Sequence, residues 1–165
     1  MPAITFTGCA QHACEPLLQG TRPVGTGSAQ DLEPTAGKES TLMPVAQYSL
    51  VAVDCPDPPA LAAFYAGLLG GEIKQYNEDW YDLYVPGGHR IAFQRAPGHR
   101  PPQWPRADDN SQQLHLDFDV TDMAGAEAQA LALGATPLDV DDQDGQRGFR
   151  VYADPAGHPF CLCRA

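Results

Sequence analysis

The run HPFCLC, residues 158–163, places His158 just before Cys161 and Cys163, and the turn Asp154-Pro-Ala-Gly introduces it. Residues of these types can bind a soft metal ion, form a redox pair, or simply end a sheet. A second candidate is LHLDFDV (114–120), where His115 is followed by Asp117 and Asp119. A histidine set between a carboxylate and a thiol can act as a general base or activate the thiol as a nucleophile. The competing reading is a hydrogen-bonded histidine that shapes a ligand pocket, because structural networks hold such groups too. Cys161 has an equally plain alternative as a small buried hydrophobe.

Strand alternation decides which of these side chains can meet. In YSLVAVDC (48–55), Val51, Val53 and Cys55 form the apolar set, so Leu50, Ala52 and Asp54 face the other way. In the 114–120 strand, Leu116, Phe118 and Val120 are apolar, leaving His115, Asp117 and Asp119 on the opposite face. In the last strand Phe160 and Leu162 pack on the helix, leaving Cys161 and Cys163 together facing inward, toward the cavity. A disulfide between those two is not expected, because side chains two apart on a strand project in parallel. His89 and His158 stand at turn-to-strand positions and read as structural or solvated.

The elements between these strands repeat. Asp57 caps a helix in PDPPALAAFYAGLLGGE, with Leu61, Phe64, Tyr65, Leu68 and Leu69 on one stripe and Gly70–Gly71 at its end. Short strands follow at 72–76, 80–85 and 89–95. In the second half Asp122 caps a helix with Met123, Ala126, Ala130 and Leu133 on one face, followed by strands at 135–140, 148–153 and 158–163. Both halves read βαβββ. YDLYVPGGHRIAFQR (81–95) lies over FRVYADPAGHPFCLCR (149–164) with one residue inserted in the turn, and LVAVDCPD (50–57) lies over HLDFDVTD (115–122). By that alignment Tyr84, Ala92, Gln94, Arg150 and Tyr152 join the inward set. Two such modules imply a pseudo-twofold arrangement.

These segments, with IAFQRAPGHRPPQWP, resemble the glyoxalase-like branch of the vicinal oxygen chelate superfamily, over residues 46–164. The resemblance implies an α+β fold: two βαβββ modules forming curved mixed sheets around a cavity, with one helix on each outer face. It sets a domain at 45–165, with module one at 46–95, a linker at 96–113 and module two at 114–164. It also implies four metal slots, carried here by Leu50, Ala92, His115 and Cys161. Leucine and alanine have no lone pair to donate, and His115 and Cys161 are too few for a catalytic zinc site. Asp117 and Gln94 each stand two residues from a slot, displaced about 6–7 Å along an extended strand. No metal and no cofactor are therefore expected.

Composition narrows the partners. The 165-residue chain carries a net charge of −11, so nucleic acid and anionic membrane are not expected partners. Five cysteines, no basic leader and no long apolar span point to a reducing cytoplasm. Residues 1–44 show neither strand nor helix periodicity, and read as a disordered extension contributing little to stability. Cys9, His12 and Cys14 lie in it without a second pair at finger spacing, and Met43 directly precedes the first patterned strand. Trp104, on the proline-rich linker, is a candidate lid for this cavity or, in a homodimer, for a second copy's, or else an anchor of the loop.

Three functions follow: a protein that binds a small organic molecule in the cavity without an obligatory metal, a lyase or isomerase using His115 as acid or base, and a drug-sequestering binder of the bleomycin-resistance type. The cavity residues under all three are Leu50, Ala52, Tyr84, Ala92, Gln94, Trp104, His115, Asp117, Arg150, Tyr152, Cys161 and Cys163.

Overall fold

A computed structural model describes residues 46–104 and 110–165. The 1–44 segment, with Cys9, His12 and Cys14, lies outside the described residues, as do residues 105–109 of the linker. The first half runs β1 (Val51–Cys55), α1 (Pro58–Leu69), β2 (Glu72–Asn77), β3 (Trp80–Val85) and β4 (His89–Arg95). The second half runs β5 (Leu116–Val120), α2 (Met123–Leu133), β6 (Thr136–Asp139), β7 (Phe149–Ala153) and β8 (Pro159–Arg164). Each half makes one four-stranded sheet, ordered β1-β4-β3-β2 and β5-β8-β7-β6. The β1–β4 and β5–β8 pairs are parallel and the others antiparallel. The fold is α+β with two βαβββ modules. No described helix is long and apolar enough to cross a membrane.

Both helices begin as their sequences dictate. The Asp57 carboxylate accepts from the Ala60 N–H at 3.2 Å, and that of Asp122 from the Gly125 N–H at 3.1 Å. Each satisfies an otherwise orphaned donor of the first turn. Helix α1 ends at Gly70, whose φ of 73° suits a residue without a Cβ.

The core is shared between the modules, and α1 carries most of it. Leu61, Phe64 and Tyr65 are buried, while Leu68 and Leu69 are partly so. Phe64 meets Phe160 of β8 edge-on at 5.8 Å, and Tyr65 stacks on Phe93 of β4 at 5.5 Å and reaches Phe118 of β5 at 6.2 Å. The aromatic stripe of one module thus covers strands of both. Helix α2 buries only Met123 and Ala130 fully. It lies close to α1, where the Gln129 side-chain amide donates to the Gly67 carbonyl at 2.8 Å.

Two expectations need correcting. The strands begin later than the sequence pattern suggests: the β1–β4 ladder starts at the Val51–Ile91 pair and the β5–β8 ladder at Leu116–Phe160. Leu50 and His115 therefore sit just ahead of their strands. The second correction is a reversal of face. In module one Asp82 pairs with Ala92, whereas in module two Val151 pairs with Cys161 and Arg150 with Leu162. The turn closing β3–β4 leaves three residues between the paired Val85 and His89, and in the β7–β8 turn the Asp154 N–H still reaches the His158 carbonyl, again with three residues between. The strands on both sides of the turn correspond without an insertion. Allowing one slips β7 by a residue and turns every side chain over. Arg150 and Tyr152 consequently point to the helix side, not the open face.

Candidate functional site

The open face is the one the helices leave. Ala52, Asp54 and Gln94 are exposed on it in module one, and Asp117 and Asp119 in module two. Ala92 and Cys161 share this face but are covered, at 0% and 4% exposure. Tyr84 lies here as the alternation predicts. Its hydroxyl is 2.8 Å from that of Tyr76, and the Arg90 guanidinium lies over its ring at 5.7 Å. The shared hydrogen bond with Tyr76 holds the Tyr84 hydroxyl below the usual phenol range, assisted by Arg90.

Beneath this layer is a residue the sequence reading missed. Asp82 is buried on the open face of module one, accepting from the Trp80 indole N–H at 2.7 Å and lying 3.4 Å from Arg90. It reads as a polar interruption of an apolar strand. Its only signal was the cost of burying an unpaired carboxylate, which requires partners nearby.

Arg150 and Tyr152 belong to a different structure. Arg150 contacts Glu127 of α2 and makes a 2.8 Å ion pair with Asp142, whose carboxylate also accepts from the Gly145 N–H at 3.2 Å. Hydrogen bonding to Arg150 holds the Asp142 carboxyl below its ordinary range. Tyr152 is fully buried and stacks on Phe160 at 5.6 Å. Burial, with the Glu127 charge, pushes its phenol up to about 12.

In module two three donors converge. His115 Nε2 lies 3.4 Å from Asp117 Oδ1, and ligand atoms of His115, Asp117 and Cys161 all lie within 4.8 Å of one another. The expected separation of Asp117 from His115 along an extended strand does not hold. His115 precedes the strand, and its long side chain turns back toward Asp117, which sits opposite Cys161 in the ladder. Cys163, two residues on, shares the face of Cys161 and is half-buried. Module one supplies nothing equivalent. The superfamily slots at Leu50 and Ala92 have no donor, and Ala92 lies beside Ala52, which has none either. The superfamily's four-ligand chelate does not fit these residues, whereas the three donors of module two are of types that hold divalent ions.

His115 also borders a cleft of about 270 Å³ between the modules. Ala52 and Asp54 of β1 line one side, Leu114–Leu116 and the polar run Asn110–Gln113 another, and Tyr65, His99, Arg100 and His158 complete it. Trp104 stands half-buried with its ring 6.5 Å from that of His115. The linker is seated as well as stiff. His99 Nε2 is 2.9 Å from the Ala156 carbonyl, Pro101 packs on Gly157, and the Asn110 amide donates to the Pro101 carbonyl at 2.7 Å. Sequence reasoning read His158 as structural or solvated and assigned nothing to His99, because no periodicity predicts how a long connection settles.

Comparison with known proteins agrees with this architecture. No curated protein matches the chain. Among solved structures it is similar to a glyoxalase/bleomycin resistance protein from Albidiferax ferrireducens T118, at 20% identity and a TM-score of 0.52, covering 72% of this chain and 98% of that one. A glyoxalase-related enzyme from Fulvimarina pelagi gives 19% identity and a TM-score of 0.52 over 73% and 89%. A glyoxalase/bleomycin resistance protein/dioxygenase family enzyme from Burkholderia phytofirmans PsJN gives 19% and 0.51 over 70% and 96%. At these identities the likeness establishes the fold alone. The model of the glyoxalase-like domain family matches residues 50–163, most of the chain and all the elements described above, and the chain belongs to that family.

Proposed function

We propose that this glyoxalase-like protein binds a small polar organic molecule in the cleft between its modules, without an obligatory metal. The observation that carries the reading is the cleft itself: about 270 Å³, bordered by imidazoles, side-chain amides and one guanidinium. Such a lining suits a molecule rich in hydrogen-bonding oxygen. The volume falls just below the ~300–1,000 Å³ of drug-sized sites, which favours a metabolite over a large sequestered drug. Metal independence is supported by the donor-free slots of module one, since an ion would be held from one side only.

A second reading has its own observation. The 3.4 Å contact of His115 with Asp117 at the cleft rim suits an acid–base enzyme of the lyase or isomerase kind.

Protein-observed NMR titration with a set of small oxo and hydroxy acids, using protein dialysed against chelator, tests the proposal. Binding that persists without metal, perturbs Ala52, Asp54 and His115, and weakens in His115→Ala is expected. One ion per chain retained through dialysis, required for binding and lost in His115→Ala, would overturn metal independence. Product formation would select the enzyme reading, and stoichiometric protection without product the binder.

A further inference from the structure

The far wall of the cleft holds a second histidine–carboxylate pair, built differently from the first. Asp154 is the opening residue of the β7–β8 turn, and its side chain is 0% exposed. One oxygen, Oδ1, accepts from the N–H groups of Ala156 and His158, each at 2.9 Å. Those two bonds close the turn. The other oxygen is not needed for it. Oδ2 accepts from the Tyr65 hydroxyl of α1 at 2.8 Å and lies 3.3 Å from Nδ1 of His158. That last contact is within ion-pair reach but short of good hydrogen-bond alignment, as is common before a ligand tightens a site. Nδ1 is sealed from solvent, while His158 lines the cleft with a side chain 20% exposed. The nitrogen left to serve a bound molecule is Nε2. The His99 ring packs beside it at 4.7 Å, itself held by the Ala156 carbonyl.

The geometry points to His158 as the acid–base group of the cleft, with Asp154 as the residue that positions it and Tyr65 as the support of Asp154. In the neutral form Nδ1 carries the proton toward Asp154, and Nε2 presents its lone pair to the cleft. Nε2 takes a proton from an O–H or C–H acid of the bound molecule and later returns it, so no external reactant is consumed. The buried carboxylate favours the imidazolium formed in between. The charged or titratable groups around the ring are Asp154, Tyr65 and His99, with Asp54, Arg100 and His115 on the other cleft walls. Asp154 is fully enclosed, whereas Asp117 beside His115 has a side chain 45% exposed. A solvated partner is a weaker orienter, because water competes for both of its oxygens. This inference rests on the cleft being the site of a small molecule and adds the group that would act on it.

The test uses the full chain. Long-range ¹⁵N–¹H correlation should show neutral His158 protonated at Nδ1. Asp154→Asn should abolish that preference and leave a mixture of the two His158 tautomers. Because that variant loses turn bonds and can fail to fold, Tyr65→Phe provides a second arm. It removes only the hydroxyl that holds Oδ2 and should let the carboxylate shift, lowering the Nδ1–H share of neutral His158. With 4-nitrophenyl acetate as a small neutral probe, His158→Gln should lose more than half of the protein-dependent rate. A proton on Nε2, a tautomer balance unmoved in Tyr65→Phe, or a full rate in His158→Gln would each overturn the assignment. These readouts need no natural ligand. Failure of the dyad would leave metabolite binding intact, and failure of metabolite binding would leave the His158 tautomer intact.

Discussion

Module one and module two have the same element order and closely matching ladders, yet they divide the labour unequally. Module one supplies the packing: the aromatic face of α1 reaches strands of both sheets. Module two gathers the donor groups: His115, Asp117 and Cys161 converge on its open face, where module one has Leu50, Ala52 and Ala92. Each module places one carboxylate near the centre of its open face, but on different strands. Asp82 is committed to Trp80 and Arg90, while Asp117 stands beside His115. A duplicated fold lets one copy hold the structure while the other changes its surface, since core and open face are separated by strand parity.

The sharpest way to break this comparison is at Phe64, which is 3% exposed. Phe64→Ala should cost about 3–5 kcal/mol in urea unfolding, the range for emptying a buried aromatic site. It should also loosen module two through Phe160. A loss under about 1 kcal/mol would mean that α1 does not hold both sheets.

The next effect separates equivalent turns. Gly88 and Gly157 precede His89 and His158, with φ of 91° and 92°. A Cβ at Gly88 would meet nothing within 4 Å, whereas one at Gly157 would lie 2.4 Å from Pro101 Cβ. Gly88→Ala should therefore cost only the left-handed strain, about 1–2 kcal/mol. Gly157→Ala should cost a further ~1–3 kcal/mol and push the linker off the turn. Equal losses would show that the linker's seat adds no stability. A larger loss at Gly157 with weaker metabolite binding would tie that seat to the cleft.

How far all this was legible depends on whether the controlling contact is local. The Asp57 and Asp122 caps, the α1 stripe and the faces of β1, β5 and β8 follow from spacing along a few residues, and the structure has them as read. Arg150 and Tyr152 did not follow. Phe-Arg-Val-Tyr-Ala alternates equally well on either face, so β7 could be assigned only through its partner strand, and one misplaced gap inverted it. His115 reaching Asp117 depended on where the ladder begins. The His158–Asp154–Tyr65 arrangement joins residues from distant segments, and His99 reaches it only through a long linker. The sequence pattern contains no term for such meetings.

A smaller effect probes the minor helix. Ala130 is fully buried on α2, but its side chain is a single methyl group. Ala130→Gly should cost about 1 kcal/mol, mostly helix propensity, with a small packing loss. Thermal melting should show a shift of a few degrees, well short of that in Phe64→Ala. Parity between the two would contradict the unequal division of packing.

The smallest effect is invisible at neutral pH and grows only in alkali. Burial, then the Asp154 charge, raises the Cys55 thiol to about 11. The same causes, in the same order, hold the Tyr65 phenol well above its ordinary value. Burial also raises Tyr152 to about 12. In the unfolded chain the thiol titrates near 8.5 and the phenols near about 10, so unfolding above those values releases protons. The stability these neutral groups contribute is complete below the unfolded values and is lost as pH rises toward the folded ones. Melting temperature should thus be level from pH 7 to 8 in these respects and fall progressively above about 9. The Cys55 window opens first and the tyrosine window about one and a half units later. Tyr65→Phe should flatten the later part of the decline and leave the earlier part unchanged, because it removes one ionisation without emptying the site. An identical slope in the variant would mean that Tyr65 ionises no harder in the folded protein than in the unfolded chain.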